Sequence, residues 1–114
     1  MIDFSTHTTD NGTLVIRIGG SLDAENTEYF FDCVQDEIER GHDRIVINCA
    51  DLGFISSVGL GSLIRARSRV AKTGGEISFA RIDARILDVM RLTRLDKVFS
   101  IYPTEKEAVA AMEA

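Results

Sequence analysis

The stretch Asp51-Leu52-Gly53-Phe54-Ile55-Ser56-Ser57-Val58-Gly59-Leu60-Gly61-Ser62-Leu63-Ile64 decides how the chain is read. It leaves a buried strand, turns, and enters a helix, with two adjacent serines at the entrance. Upstream, Arg44 to Cys49 is a β-branched, apolar run of strand length, continuous enough for burial on both faces, as in strands of mixed or parallel sheets. Downstream, Leu60, Leu63, Ile64, Ala66, Val70 and Ala71 recur at the three-and-four spacing of a helix with one buried stripe. A serine just before the first periodic residue caps such a helix, because its hydroxyl accepts a hydrogen bond from an N–H left unpaired in the first turn. Ser56 or Ser57 fills that role.

The placement has a second consequence. A helix start carries unpaired N–H donors and about half a unit of positive charge, which makes it tolerant of an added phosphate. A group of about −1.5 to −2 charge there leaves the domain folded yet changes the surface a partner meets. Against this stands the plain reading in which both serines only cap and turn the chain.

The pattern Asp-Leu-x-x-Ile-x-Ser-x-Gly-Leu-x-x-Leu, here Asp51 to Leu63, resembles the signature of the STAS family, and in particular its small stand-alone members, the bacterial anti-sigma factor antagonists. Gly20-Ser21-Leu22-Asp23 looks like the family's turn after the second strand, and Lys72-Thr73-Gly74-Gly75 like its exit from the central helix. The match runs from about Leu14 to the C-terminus. It implies a STAS fold of the α/β class: a mixed four- to five-stranded sheet with an N-terminal antiparallel hairpin and about four helices packed on it.

In that family the serine two positions before the Gly-Leu pair is phosphorylated by a cognate serine kinase, which maps onto Ser57. Many members carry Asp before that serine and Ser or Thr after it; this chain has Ser56 and Val58, which makes Ser56 a competing acceptor. The resemblance further implies docking through Asp23, Ser56, Ser57, Val58, Gly59, Gly61, Ser62 and Arg65, with Val58, Gly61 and Ser62 on the exposed early turns of the helix. The implied partners are an anti-sigma factor that is also a serine kinase and a metal-dependent serine phosphatase. The domain itself is expected to be a monomer or weak homodimer without a cofactor, a metal or catalytic activity. Asp23 and Asp51 approach Ser57 if the loops cluster at one sheet end.

Composition sets the outer bounds. The 114 residues suit one domain, 1–114, with a single core, and 45% hydrophobic content with one proline argues for a compact chain. A formal charge of −5 speaks against general affinity for nucleic acid or anionic membrane. Cys33 and Cys49 both sit in apolar settings and read as reduced, buried thiols of a cytoplasmic protein. The N-terminus lacks a signal-peptide pattern, and no run approaches the roughly 18 to 20 apolar residues of a membrane span.

Taken in order, Met1 to Thr8 reads as an edge strand through Ile2 and Phe4, and Asp10-Asn11-Gly12 as a hairpin turn. Thr13 to Ile18 returns with Leu14, Ile16 and Ile18 on one face, and Gly19-Gly20 ends that strand. Asp23 or Asn26 caps a first helix to about Arg40, its stripe Phe30, Cys33 or Val34, and Ile38. Glu25, Glu28, Asp32, Asp36, Glu37 and Glu39 read as its solvated face, and Gly41 closes it. One crossover joins Ile16 to Ile47. The central helix, Ser57 to Thr73, carries Arg65, Arg67, Arg69 and Lys72. They serve either the helix dipole and solubility or the steering of an acidic partner. Glu76 to Arg81 forms a fourth strand, Asp83 caps a helix through Ile86, Leu87, Met90 and Leu92, and Leu95 closes its turn. Phe99 and Ile101 mark a short last strand, and Thr104 caps a helix using Ala108, Val109 and Met112.

Enzyme classes fit poorly. A hydrolase elbow needs Gly-x-Ser-x-Gly, but Ile55 holds the first glycine position for Ser57, and both histidines, His7 and His42, precede the serine. No phosphate-binding Gly-x-x-x-x-Gly-Lys-Ser/Thr loop is present, and two Cys and two His lack zinc-site spacing. Two other uses of the fold remain: a constitutive scaffold subunit of a stressosome-like or lipid-transport complex, and a sensor of a small nucleotide or anion with a pocket at the strand ends.

Overall fold

A computed structural model describes residues 2–114. Five strands lie in the order β1 (Ile2–Thr8), β2 (Leu14–Leu22), β3 (Arg44–Ile55), β4 (Glu76–Ala80) and β5 (Ser100–Tyr102). The first pair is antiparallel and the rest are parallel. Helices α1 (Thr27–Glu39), α2 (Ser57–Lys72) and α3 (Ala84–Leu92) bridge the parallel strands, and α4 (Glu105–Glu113) follows β5. The mixed α/β fold with an N-terminal hairpin is as the sequence predicts. Met1, predicted as part of the first strand, lies outside the described residues.

Sequential strand order and right-handed crossovers put three helices on the same face of the sheet. Beneath them lies the main core, where Leu14, Ile16, Ile45, Ile47, Ile77 and Phe79 meet Phe30 and Val34 of α1, Leu63, Ala66 and Val70 of α2, and Ile86 and Met90 of α3. Side chains alternate along a strand, so Val15, Val46 and Ala80 point the other way, where Ala108 and Met112 of α4 cover them. The two-sided burial predicted for Arg44–Cys49 is therefore present, and Ile16 does stand opposite Ile47.

Several boundaries move. Strand β2 does not stop at Gly19-Gly20; it continues to Leu22 through two register shifts against β3. At the second shift stands Gly20, with φ +91°, a conformation that glycine adopts without the steric cost other residues meet. β3 likewise runs to Ile55 rather than Cys49, and no turn intervenes before the serines. In α1, Phe31 joins the buried stripe, while Cys33 and Ile38 are only half-buried. Glu37, predicted on the solvated face, is buried and faces Arg40 at 3.4 Å and His42 at 3.9 Å. Ile64, Ala71 and Leu92, predicted on buried stripes, are exposed; Gly59 and Ser62 take the buried positions on α2 instead. Asp83 and Thr104 cap their helices as predicted, accepting from the N–H groups of Arg85 and Glu107.

Candidate functional site

The extension of β2 and β3 past their glycines places the site. Leu22 pairs with Ile55, and the Leu22 carbonyl accepts the Ser56 N–H at 3.0 Å, so the chain stays tied to the sheet up to the first residue of α2. Ser56 is extended, at φ −88° and ψ 173°, and its Oγ accepts the Gly59 N–H at 3.0 Å. Ser56 is therefore the cap. Ser57 is the first helical residue, exposed, and takes part in no side-chain hydrogen bond among the described residues. No acidic residue lies in that first turn, which leaves the positive end of the helix unneutralised.

The rest of the predicted surface divides. Val58 is 51% exposed, and Gly61 is exposed with open space where a Cβ would stand. Gly59 instead packs on the sheet: a Cβ there would overlap the Leu22 carbonyl and reach 2.8 Å from Ile55 Cγ1. Ser62, predicted on an exposed turn, is 5% exposed and donates its hydroxyl to the Gly59 carbonyl at 2.6 Å. These two residues are packing elements; the helix starts close to β2 only because one has no side chain and the other folds back on its own backbone. Arg65 is exposed yet engaged, 3.0 Å from Glu28 and with its guanidinium 3.8 Å above the Phe31 ring. Arg69 reaches the same ring at 5.6 Å. The basic residues of α2 are thus partly spent on α1.

The two candidate aspartates separate. Asp23 directly follows Leu22, and its carboxylate accepts from the Glu25 N–H at 3.0 Å and the Ser21 hydroxyl at 3.4 Å. It stands at the serine end of the sheet. Asn26, the first residue of the α1 cap, braces this loop by accepting the Asp23 N–H at 2.9 Å and donating to the Ser21 carbonyl at 2.6 Å, rather than capping with its side chain. Asp51 pairs with Gly19, four residues before Ile55, about 13 Å back along the strand. It does not approach Ser57.

Sequence reasoning missed Phe54, which is 55% exposed. With Ile55 it forms one side of a hollow of about 200 Å³ whose other side is Arg85, Ile86 and Val89 of α3. The available signal was a large aromatic residue two positions before the serine cap, in a segment read as a turn. At the start of α3, the Arg85 side chain and backbone N–H hold the Asp83 carboxyl below its usual range. Among the described residues no group of three or more His, Cys, Asp or Glu is placed to hold a metal ion, and no helix is long and apolar enough to cross a membrane.

Residues 5–108 match the family model of the STAS domain. The chain belongs to the STAS domain family. Among its relatives, the anti-sigma F factor antagonist of Paenibacillus polymyxa is 25% identical over 103 residues, covering 90% of this chain and 88% of that protein. An anti-sigma factor antagonist from Mycobacterium paratuberculosis superimposes with a TM-score of 0.89 at 22% identity, over 100% of this chain and 96% of the other. The Bacillus cell fate determinant SpoIIAA, solved in its phosphorylated form, gives 0.73 at 23% identity, over 96% of this chain and 98% of that one. Those two likenesses show that this STAS domain has the antagonist fold.

Proposed function

We infer that this STAS domain is a phosphorylation-switched interaction module of a bacterial partner-switching pathway. In its unphosphorylated form it docks on a cytoplasmic anti-sigma factor that is also a serine kinase, and the sigma factor is freed. The kinase phosphorylates Ser57, docking is lost, and a metal-dependent serine phosphatase restores the first state. The chain contributes a surface and an acceptor hydroxyl and performs no catalysis itself.

The observation that carries this reading is the division of labour between adjacent serines. The Ser56 hydroxyl is occupied by the Gly59 N–H, whereas the Ser57 hydroxyl is exposed at the same helix start. A kinase needs a hydroxyl it can reach, and the helix end offers favourable charge for the phosphate that results. Phosphorylation takes the formal charge from −5 to roughly −7 and places the change among Phe54, Val58 and Gly61. A partner that buries those residues would have to desolvate a dianion, which is costly without a matching cation. The names of the Paenibacillus antagonist and of phosphorylated SpoIIAA agree with such a role.

The test is intact mass with phosphosite mapping on protein recovered from its native cell, beside Ser57→Ala, followed by partner capture with Ser57→Ala and Ser57→Glu. Phosphate on Ser57 that disappears in the alanine variant, with a kinase captured by alanine and not by glutamate, is the expected result. Phosphate on Ser56 would move the acceptor by one residue. Absence of phosphate in every growth condition, with the same partner held by both variants, would replace the switch by a constitutive scaffold.

A further inference from the structure

A concavity lies beyond the C-terminal ends of β4 and β5, where parallel sheets open crevices between strands and their following helices. It encloses about 530 Å³, within the range of about 300 to 1,000 Å³ typical of small-molecule sites. Its floor is apolar: Ile82, Leu87 and Ile101 are half-buried, and Phe99 is buried and fixed by packing on Phe79, ring centroids 4.8 Å apart. Its rim carries Arg81, Arg91 and Asp96.

Among the described residues, two of the three charges on that rim are free of ion pairs, and the third is held only at an exposed one. Arg81 and Asp96 take part in no ion pair among the described residues, and Arg91 meets only Asp88, at 3.5 Å on an open helix face. Arg81 is also a non-glycine residue at φ +58°, a conformation most side chains avoid. Its N–H donates to the Tyr102 carbonyl at 3.2 Å, which fixes the backbone from which the guanidinium rises. Two cations and one anion give the rim one net positive charge on a chain of formal charge −5.

We propose that this cavity binds a small amphipathic monocarboxylate, with its carboxylate between Arg81 and Arg91 and its apolar body on Phe99 and Ile101. One net positive charge matches one carboxylate, and Asp96 disfavours a dianion. Planar guanidinium groups suit a carboxylate because they donate two parallel hydrogen bonds. The floor supplies affinity that an inorganic anion cannot draw on.

The test is amide-resolved NMR titration of the full chain with 4-phenylbutyrate, with 4-phenylbutyramide and inorganic phosphate as controls. Saturable shifts confined to Ile82 and Phe99 to Tyr102 are expected with the carboxylate. The amide should bind at least about tenfold more weakly, since a charge-assisted hydrogen bond is lost. Arg81→Gln and, separately, the helix-surface variant Arg91→Gln should each weaken carboxylate binding by a similar factor while the remaining spectrum shows the fold intact. Ser57→Ala should leave it unchanged, which separates this site from the switch. No saturable shift, equal binding of carboxylate and amide, equal binding of inorganic phosphate, or indifference to both arginine substitutions would each overturn the proposal.

Discussion

Ser56 and Ser57 differ by one position and by one hydrogen bond. The Ser56 hydroxyl satisfies a donor that α2 leaves orphaned, and removing such a cap costs about 1 kcal/mol, within a range of about 0.5 to 2. Ser57 is exposed, and substitutions at such places usually stay within about 0.5 kcal/mol. Urea denaturation should therefore show Ser56→Ala destabilised by about 1 kcal/mol and Ser57→Ala nearly unchanged. The reverse order would mean that Ser57 caps the helix and that Ser56 is the free hydroxyl. The sequence could narrow the cap to this pair but could not choose between them, because both precede the same apolar period; the choice follows from the strand carrying Ile55 through to Ser56. The same limit explains Gly59 and Ser62. Small residues in the first turns of a helix look available for contact, and only the Leu22 carbonyl pressed against Gly59 shows that they are spent on packing.

At the scale of elements, periodicity and turn signals located the four α-helices and five strands, while features formed between distant segments stayed hidden. The β1–β2 turn is held to the end of α4 by Glu113, whose carboxylate accepts from the Thr9 hydroxyl at 2.6 Å, the Thr13 hydroxyl at 2.7 Å and the Asn11 amide at 3.2 Å. About a hundred residues separate these partners in sequence, and no spacing rule spans such a gap. The Thr9 and Thr13 donors, with a smaller contribution from Asn11, hold the Glu113 carboxyl below its usual range. Because the folded form then prefers the ionised group, its contribution is complete above the unfolded value of about 4.5 and is lost as pH falls through the lower folded value. The protection of the Thr9 to Thr13 amides, measured as exchange relative to the intrinsic rate at each pH, should accordingly fall on acidification below about pH 4.5, before the central strands open. Glu113→Gln should show faster exchange already at neutral pH and little further acid response at these amides. An unchanged acid response in that variant would assign it to other carboxylates.

Over the whole molecule the two thiols report on two levels of order. Cys49 lies in the middle strand, 1% exposed, and burial pushes its thiol up to about 12. Cys33 is half-buried on α1; burial is the main cause raising its thiol, followed by the repulsion of Asp36, Asp32 and Glu37, against the lowering effect of the Tyr29 hydroxyl. The uniform prediction of two buried cysteines thus holds for one, because Cys33 falls at the edge of the α1 stripe that Phe30, Phe31 and Val34 fill. A thiolate-specific reagent near pH 8 should modify Cys33 in the native state, slowly for a free cysteine. Cys49 is buried within the main core between the sheet and its helices, so it should react only through opening of that core. Its labelling rate should then scale with the unfolding equilibrium: Ser56→Ala, at about 1 kcal/mol, should speed it about fivefold, while Ser57→Glu should leave it close to native because the added charge sits at a favourable helix end. Acceleration of Cys49 labelling by Ser57→Glu as large as that by Ser56→Ala would show that charge at the serine site loosens the core. A switch of that kind would act by unfolding its own scaffold. An unchanged rate would confine the effect of the charge to the surface a partner meets, as the exposed Ser57 and the rigid β2–β3 pairing beneath it require.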